Sequence, residues 1–429
     1  MRCDASLTAV SDLAVWRSVN GQPILQWAAA TNNVNILFIH GNYPGQFRNL
    51  ARLTGSDARH HVVFLTARAD ATNDPIPGIE VRHFKRAREP HPETHHYLHA
   101  SEEAVLNGQA VLRGVAELVQ EGFRPDLVIS HAGNGLGLFI KDLLPQTRLI
   151  GLFEWWFTAE TSRWLFAEFP LNTQLRIQLR NLMIQQELLL CDAAVVPTDW
   201  QAQQFPEVWQ SKLRVVFDGI NTAFFQPPPP DLNRSLQLEC EQGRPPVSIW
   251  PEQRLLSYAT RGMEPLRGFP QFMAALPDLL AEDPQLHVVI AGRDRCAYSY
   301  QAPRADGSWK EHCLEQLGDC EGRERIHFTG LLSYSQYRGL LWRTDCHCSF
   351  SRPYVPSWSL FEALACGAPL VVNESSAHRI AIPQEAATWV DLDDPDAVAA
   401  GIRQQLHRSP NTRRCMLPKE LTLEQCAAG

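Results

Sequence analysis

Two arginines close together in the second half of the chain flank a turn suited to binding an anion. The apolar run 255–260 ends in Arg261-Gly262, and Arg267-Gly268 follows just before a helical stretch with Pro270 in its first turn. Proline suits that position because its missing N–H leaves no helical hydrogen bond unmade. A helix start offers free N–H groups and the positive end of the helix dipole. Two guanidinium forks beside it would complete a diphosphate site. Isolated arginines are often solvated loop charges, but a pair set around glycines at a strand-to-helix turn fits that description less well. A second cluster runs from Ser351 to Gly367 (SRPYVPSWSLFEALACG), where a strand, a Pro-containing loop and a short helix are expected. In that helix Glu362 could accept hydrogen bonds from both hydroxyls of a ribose. Ser359-x-x-Glu362 also fits a capping box, in which the glutamate only closes the helix start, and spacing does not separate the two. His131 follows the apolar run 127–130 and precedes Gly133-Asn134-Gly135. It is expected on a loop at a sheet edge, either as a hydrogen-bonding spacer or in direct contact with the chemistry.

The elements that would position these residues alternate in the manner of an α/β fold. A compact apolar strand at 35–40 (NILFIH) ends in Gly41-Asn42-Tyr43-Pro44-Gly45, then a helix-like stretch leads to a second strand at 61–66. This order opens a parallel sheet. Further buried-strand candidates are 127–130, 149–153, 193–197 and 213–217. Four prolines at 227–230 begin a polar stretch that lasts to about residue 251 and reads as a linker or insertion. The pattern then restarts with strands at 255–260, 287–291, 326–328, 346–350 and 369–372 and a helix at 269–280. The expected organisation is an extension (1–33), a first Rossmann-like domain (34–222), a Pro-rich linker or insertion (223–250), a second Rossmann-like domain (251–390) and a helical tail (391–429). Two parallel sheets facing each other put the site in the cleft between them, beyond the carboxyl ends of the strands.

Composition narrows the function classes. The 429 residues suit two cores rather than one. A net charge of -8 argues against a broad nucleic-acid interface, which needs a basic face, while leaving room for a local phosphate pocket. The 11 cysteines are scattered, and the opening MRCDASLTAVSDLAVW lacks a continuous apolar stretch. A reducing cytoplasm with buried thiols is therefore expected. Cys346-His347-Cys348 invites a metal assignment, but strand alternation would put the histidine opposite both cysteines, so no metal site is expected there. No apolar run approaches the ~20 residues of a membrane span. The segment 155–190, rich in Trp, Phe and Leu with Arg163, Arg176 and Arg180 interleaved, fits a helix pair on a core or a patch touching lipid.

The stretch TRGMEPLRGF, followed by HVVIAGRD, RIHFTG and PSWSLFEALACGAPLVV, resembles the carboxyl-terminal half of family 4 retaining glycosyltransferases, over roughly residues 250–385. The first half is similar more loosely, through NILFIHGNYPGQF, PDLVISHAGNG, DAAVVPTDWQ and VVFDGINTAFF. The resemblance implies the two-domain GT-B architecture. It implies that Arg261 and Arg267 bind a donor diphosphate, the second standing where lysine is usual, and that Glu362 holds the ribose. Gly45 would let the backbone approach the donor, Gly292 and Leu331 would join the donor-binding residues, and His131 would lie by the donor sugar. Two departures stand out. The family's paired glutamates, eight positions apart, would place the first at Tyr354, which has no carboxylate to offer the sugar. Asp218-Gly219-Ile220-Asn221 exchanges the polar residues of the usual Asn-Gly-x-Asp turn.

The implied reaction moves a sugar from a nucleoside diphosphate sugar to an acceptor hydroxyl with retention, without a metal ion or other cofactor. UDP is the first expectation for the nucleotide and GDP the second. The acceptor would be a glycan, lipid-linked, protein or small-molecule hydroxyl, with the aromatic stretch 155–169 and above all Trp155 and Trp156 expected to stack on it. A cytoplasmic protein is expected, with peripheral contact at the inner membrane face as a second possibility. Competing implications are an epimerase or phosphorylase-like enzyme on the same fold, or a non-catalytic nucleotide- or glycan-binding homologue.

Overall fold

The computed structural model describes residues 33–241, 245–353, 357–408 and 413–428. The expected extension at 1–33 and Tyr354 fall, apart from residue 33, outside the described residues. Each half of the chain builds one all-parallel sheet. The first has seven strands in the order β3-β2-β1-β4-β5-β6-β7: β1 (Val34–His40), β2 (His60–Thr66), β3 (Ile79–His83), β4 (Leu127–His131), β5 (Arg148–Leu152), β6 (Ala193–Val196) and β7 (Leu213–Val215). These strands read as apolar runs because both faces are covered. Leu37 and Ile39 pack into the core on one face, Ile36 and Phe38 into the core on the other, and all four are buried.

The second sheet has six strands. Two short strands come before it, β8 (Leu236–Leu238) and β9 (Val247–Ile249), and they pair antiparallel with each other. Within the 223–250 stretch, Leu236, Leu238, Val247 and Ile249 bury their side chains against the second domain. The sheet itself runs β12-β11-β10-β13-β14-β15, with β10 (Arg254–Gly262), β11 (Leu286–Arg293), β12 (Ile326–Gly330), β13 (Cys346–Ser349), β14 (Leu370–Asn373) and β15 (Thr388–Val390). Within β13, Cys346 and Cys348 enter one core while His347 points away and bonds the Ser257 hydroxyl at 2.8 Å. Burial takes the His347 ring down to about 4, so it is a neutral core group.

The region expected as a tail is also part of the fold. Helix Pro395–Leu406 places Val398 and Ile402 in the core of the second domain. Further on, Ile220 and the chain around Leu421–Leu423 exchange backbone hydrogen bonds of 2.9 and 2.8 Å, which brings the end of the chain back to the junction between the halves. No helix among the described residues is long and apolar enough to cross a membrane.

Both sheets reverse strand order at one place, between β1 and β4 in the first and between β10 and β13 in the second. Loops leaving the carboxyl ends on either side of such a point turn apart and leave a crevice, where ligands of open α/β sheets bind. His40 and His131 end β1 and β4, Arg261 lies at the end of β10, and Ser351-Arg352 follow β13. The topology alone therefore gathers these residues.

Candidate active site

A polar network closes the crevice of the first domain. The His40 and His131 rings lie 4.4 Å apart. His40 Nδ1 accepts the Asn42 backbone N–H at 2.7 Å, so its proton sits on Nε2, which donates to Gln46 Oε1 at 2.7 Å. Burial first, and the neighbouring His131 second, take His40 down to about 3, which keeps it neutral. His131 Nε2 lies 2.9 Å from Glu154 Oε2. Burial opposes ionisation of Glu154, yet the His131 bond and charge, with help from Gln46 and His40, hold its carboxyl below the usual range. An ionised Glu154 fixes the His131 proton on Nε2 and leaves Nδ1 as the atom available to a ligand. His131 is the last residue of β4 rather than part of a loop, and the turn after it is held from below. Glu187, buried, accepts backbone N–H groups from Gly133, Gly135 and Gly137 at 2.6, 3.3 and 3.0 Å.

Gly45 belongs to this network through its backbone. Its φ is +53°, and a side-chain carbon there would come within 2.7 Å of His40 Nε2. Gly45→Ala is expected to cost about 1–2 kcal/mol from the left-handed backbone alone. The urea midpoint of the variant checks this, and a loss under ~0.5 kcal/mol would show that the loop yields.

In the second domain the arginines converge on one tyrosine. Arg261 Nη1 donates to the Tyr298 hydroxyl at 2.7 Å, and the guanidinium carbons of Arg261 and Arg267 lie 5.4 and 5.9 Å from the Tyr298 ring. Arg267 Nη1 donates to Ser351 Oγ at 3.0 Å across the strand reversal. Tyr298 is placed by Glu264, which is fully buried. Glu264 Oε2 accepts the backbone N–H groups of Ala297, Tyr298 and Ser299 at 2.8, 2.8 and 2.9 Å. Gly292 serves the same strand ends by being small: a side-chain carbon would meet the Thr260 carbonyl oxygen at 2.0 Å. The helix after the turn, Phe269–Ala274, has only six residues. The expected dipole contribution is correspondingly short-ranged, and the fixed positive charge here comes from the arginines.

Glu362 sits on helix Trp358–Ala365, whose N-cap is Ser357 and which has no side-chain cap bond. The capping-box alternative therefore does not apply. Glu362 instead lines a cavity of about 270 Å³ between the domains, together with Gln46, Arg48, Asp218, Tyr334 and Trp358. Burial raises Glu362 to about 7, against the pull of Arg48. Asp218 accepts from Trp358 Nε1 at 2.8 Å and is also raised to about 7, by burial first and then by the Glu154 charge. Leu331 lies just past β12, exposed, three residues before Tyr334. Arg48 packs on Tyr334, 4.9 Å from its ring. The two halves of the site sense each other, because the Arg261 charge acts on His40. Gln46 joins them physically, bonding His40 and lining the Glu362 cavity.

Trp155 and Trp156 are a correction. They are 6% and 8% exposed and belong to the core of the first domain, so neither can stack on a sugar. His40, Gln46, Glu154, Glu264 and Tyr298 are absent from the sequence-based expectations. The signal for two of them was present, since His40 and Glu154 are polar residues at or just past the carboxyl end of apolar strands, as His131 is.

Two family models match the two halves of the chain. The family described as "Glycosyl transferase family 4 group" matches residues 58–225, and "Glycosyl transferases group 1" matches residues 247–417. The chain belongs to the family 4, group 1 glycosyltransferases. A phosphatidyl-myo-inositol mannosyltransferase of Mycolicibacterium smegmatis is 28% identical over 156 residues, 35% of this chain and 36% of that protein's length. Sucrose-phosphate synthase of Thermosynechococcus elongatus is similar in fold, with a TM-score of 0.63 at 16% identity over 92% of this chain and 96% of the other. The catalytic domain of starch synthase IV of Arabidopsis thaliana, bound to ADP and acarbose, is similar in fold with a TM-score of 0.56 at 12% identity, over 93% of this chain and 95% of the other. The GT-B architecture of the family is thus the architecture of this chain.

Proposed function

We propose that the chain transfers a sugar, with retention, from a nucleoside diphosphate sugar to an acceptor hydroxyl. One observation carries this reading: Arg261 and Arg267 converge on Tyr298 at the strand reversal of one domain, and the His40 and His131 rings lie 4.4 Å apart at the strand reversal of the other. In the proposed step the bond from the anomeric carbon to the diphosphate oxygen breaks and a bond to the acceptor oxygen forms. The acceptor proton passes to the leaving diphosphate. Negative charge grows on that diphosphate, so arginines fixed beside it stabilise the transition state more than the ground state. His131, with its proton held on Nε2 by Glu154, offers Nδ1 to a donor-sugar hydroxyl. Glu362 accepts from the ribose hydroxyls, and closure of the domains excludes water. Charge stabilisation by arginine needs no metal ion, so EDTA is expected to leave the rate unchanged. A rate that EDTA abolishes and Mg²⁺ restores would contradict that part. UDP is the first nucleotide to test and GDP the second.

The Glu362 shift gives a pH prediction. A folded-state value near 7 means the folded protein holds a proton that the unfolded chain releases near 4.5. The stabilising contribution is therefore present below the unfolded value and lost as pH rises through 7. Donor binding runs the other way, because the ribose needs the ionised carboxylate. UDP-glucose, whose diphosphate does not titrate in this range, is expected to bind about tenfold more weakly at pH 6 than at pH 8. Glu362→Gln should flatten that profile. If the step persists in the variant, it belongs to Asp218 and the ribose role of Glu362 is wrong.

A further inference from the structure

A second cavity, of about 240 Å³, opens between the domains beside the arginine turn. Trp164, Phe166 and Phe169 form its first-domain wall, and Tyr300 and Arg352 line it from the second domain. Trp164 meets two guanidinium groups, since the central carbons of Arg163 and Arg352 each lie 4.1 Å from its ring centroid. Arg352 is only 8% exposed and binds both oxygens of Asp393, at 2.8 and 2.5 Å. That pairing uses two of the five N–H donors of the fork and leaves three for a ligand. Arg163 is exposed, and its charge also acts on Asp393, so two cations face one carboxylate. Gln271, another lining residue, has a buried Oε1 without a hydrogen-bond partner among the described residues. The wall is tied to the loop that Glu264 fixes, because Ser299 Oγ donates to the Trp164 carbonyl at 3.2 Å.

Aromatic faces cover the apolar face of a sugar ring, and a surplus guanidinium selects an anionic substituent. The cavity borders the proposed donor site without sharing its nucleotide residues. Pro265, which lines it, lies between Arg261 and Arg267 in the chain, and Arg352 follows Ser351, the partner of Arg267. We propose that this cavity is the acceptor subsite and that the acceptor is a sugar carrying a carboxylate or a phosphate. The assignment as an acceptor site rests on the transferase reading above.

Calorimetric titration of glucose 6-phosphate, glucuronate and glucose tests it, with UDP titrated separately and with Arg163→Gln and Trp164→Leu alongside. At least one acidic sugar is expected to bind about tenfold or more tightly than glucose. Arg163→Gln should bring that preference to about twofold, and Trp164→Leu should weaken all three sugars. A preference for glucose 6-phosphate, with competition by inorganic phosphate, identifies phosphate as the group read; a preference for glucuronate identifies the carboxylate. Acidic sugars that bind no better than glucose, or a preference unchanged in Arg163→Gln, overturn the proposal. UDP binding without an acidic-sugar preference refutes the subsite alone, whereas loss of UDP binding in the unmodified protein refutes the donor-site reading.

Discussion

Arg261→Ala is expected to lower sugar transfer by about 10²–10³-fold, the effect of removing one fixed donor aimed at developing charge. Arg261 is exposed in the cleft and bonded to Tyr298, so its loss leaves no unpaired charge in a core. The folded protein should therefore survive, with its thermal midpoint close to that of the parent. The loss should fall mainly on kcat, because the diphosphate gains charge only as its bond breaks. Arg261→Lys should recover part of the rate: the charge returns, but the planar fork that can hold two phosphate oxygens does not. A variant with unchanged kcat and a raised KM would mean that Arg261 binds donor and transition state equally.

The second large effect is expected at Glu264, through positioning rather than contact with substrate. Its Oε2 accepts three successive backbone N–H groups at 297–299 inside a fully buried setting. Glu264→Ala strands those donors and empties their space, and a loss of about 3–5 kcal/mol is expected, read from the urea midpoint of the second domain. The same change frees Tyr298, the residue on which both arginines converge. Glu264→Gln keeps one oxygen for the three N–H groups and should recover most of the stability. If Glu264→Ala costs less than ~1 kcal/mol, the loop is held by something else.

These two residues mark where the sequence is legible and where it is not. Strands such as Val34–His40 and Leu286–Arg293 can be read from sequence because a parallel sheet covered on both faces demands unbroken apolar runs. Ile79–His83 (IEVRH) escapes because it is an edge strand with half-buried faces, and its polar residues hide the pattern. The Leu236–Leu238 and Val247–Ile249 pair escapes because it is three residues long on each side, inside a polar stretch. Arg261 and Arg267 are legible because their chemistry is local, with both flanking glycines at one turn. Glu264 sits between them, yet its partners are some 33 residues away, a pairing that only the fold creates. Trp155 and Trp156, expected at a ligand and found in the core, differ for a similar reason. An aromatic cluster after a strand can face a ligand or fill a core, and composition does not distinguish them, whereas Trp164, nine positions further on, reaches the cleft.

The most direct test of the account is incubation of the protein with UDP-glucose and GDP-mannose, and then with a wider panel of UDP- and GDP-sugars. Nucleoside diphosphate release and the anomeric configuration of the freed or transferred sugar are followed by NMR, with Arg261→Ala as control. Turnover of at least one donor is expected, with an initial product of that donor's anomeric configuration and near-complete loss in the control. Tight nucleotide binding without turnover of any donor, or an inverted product, would contradict it.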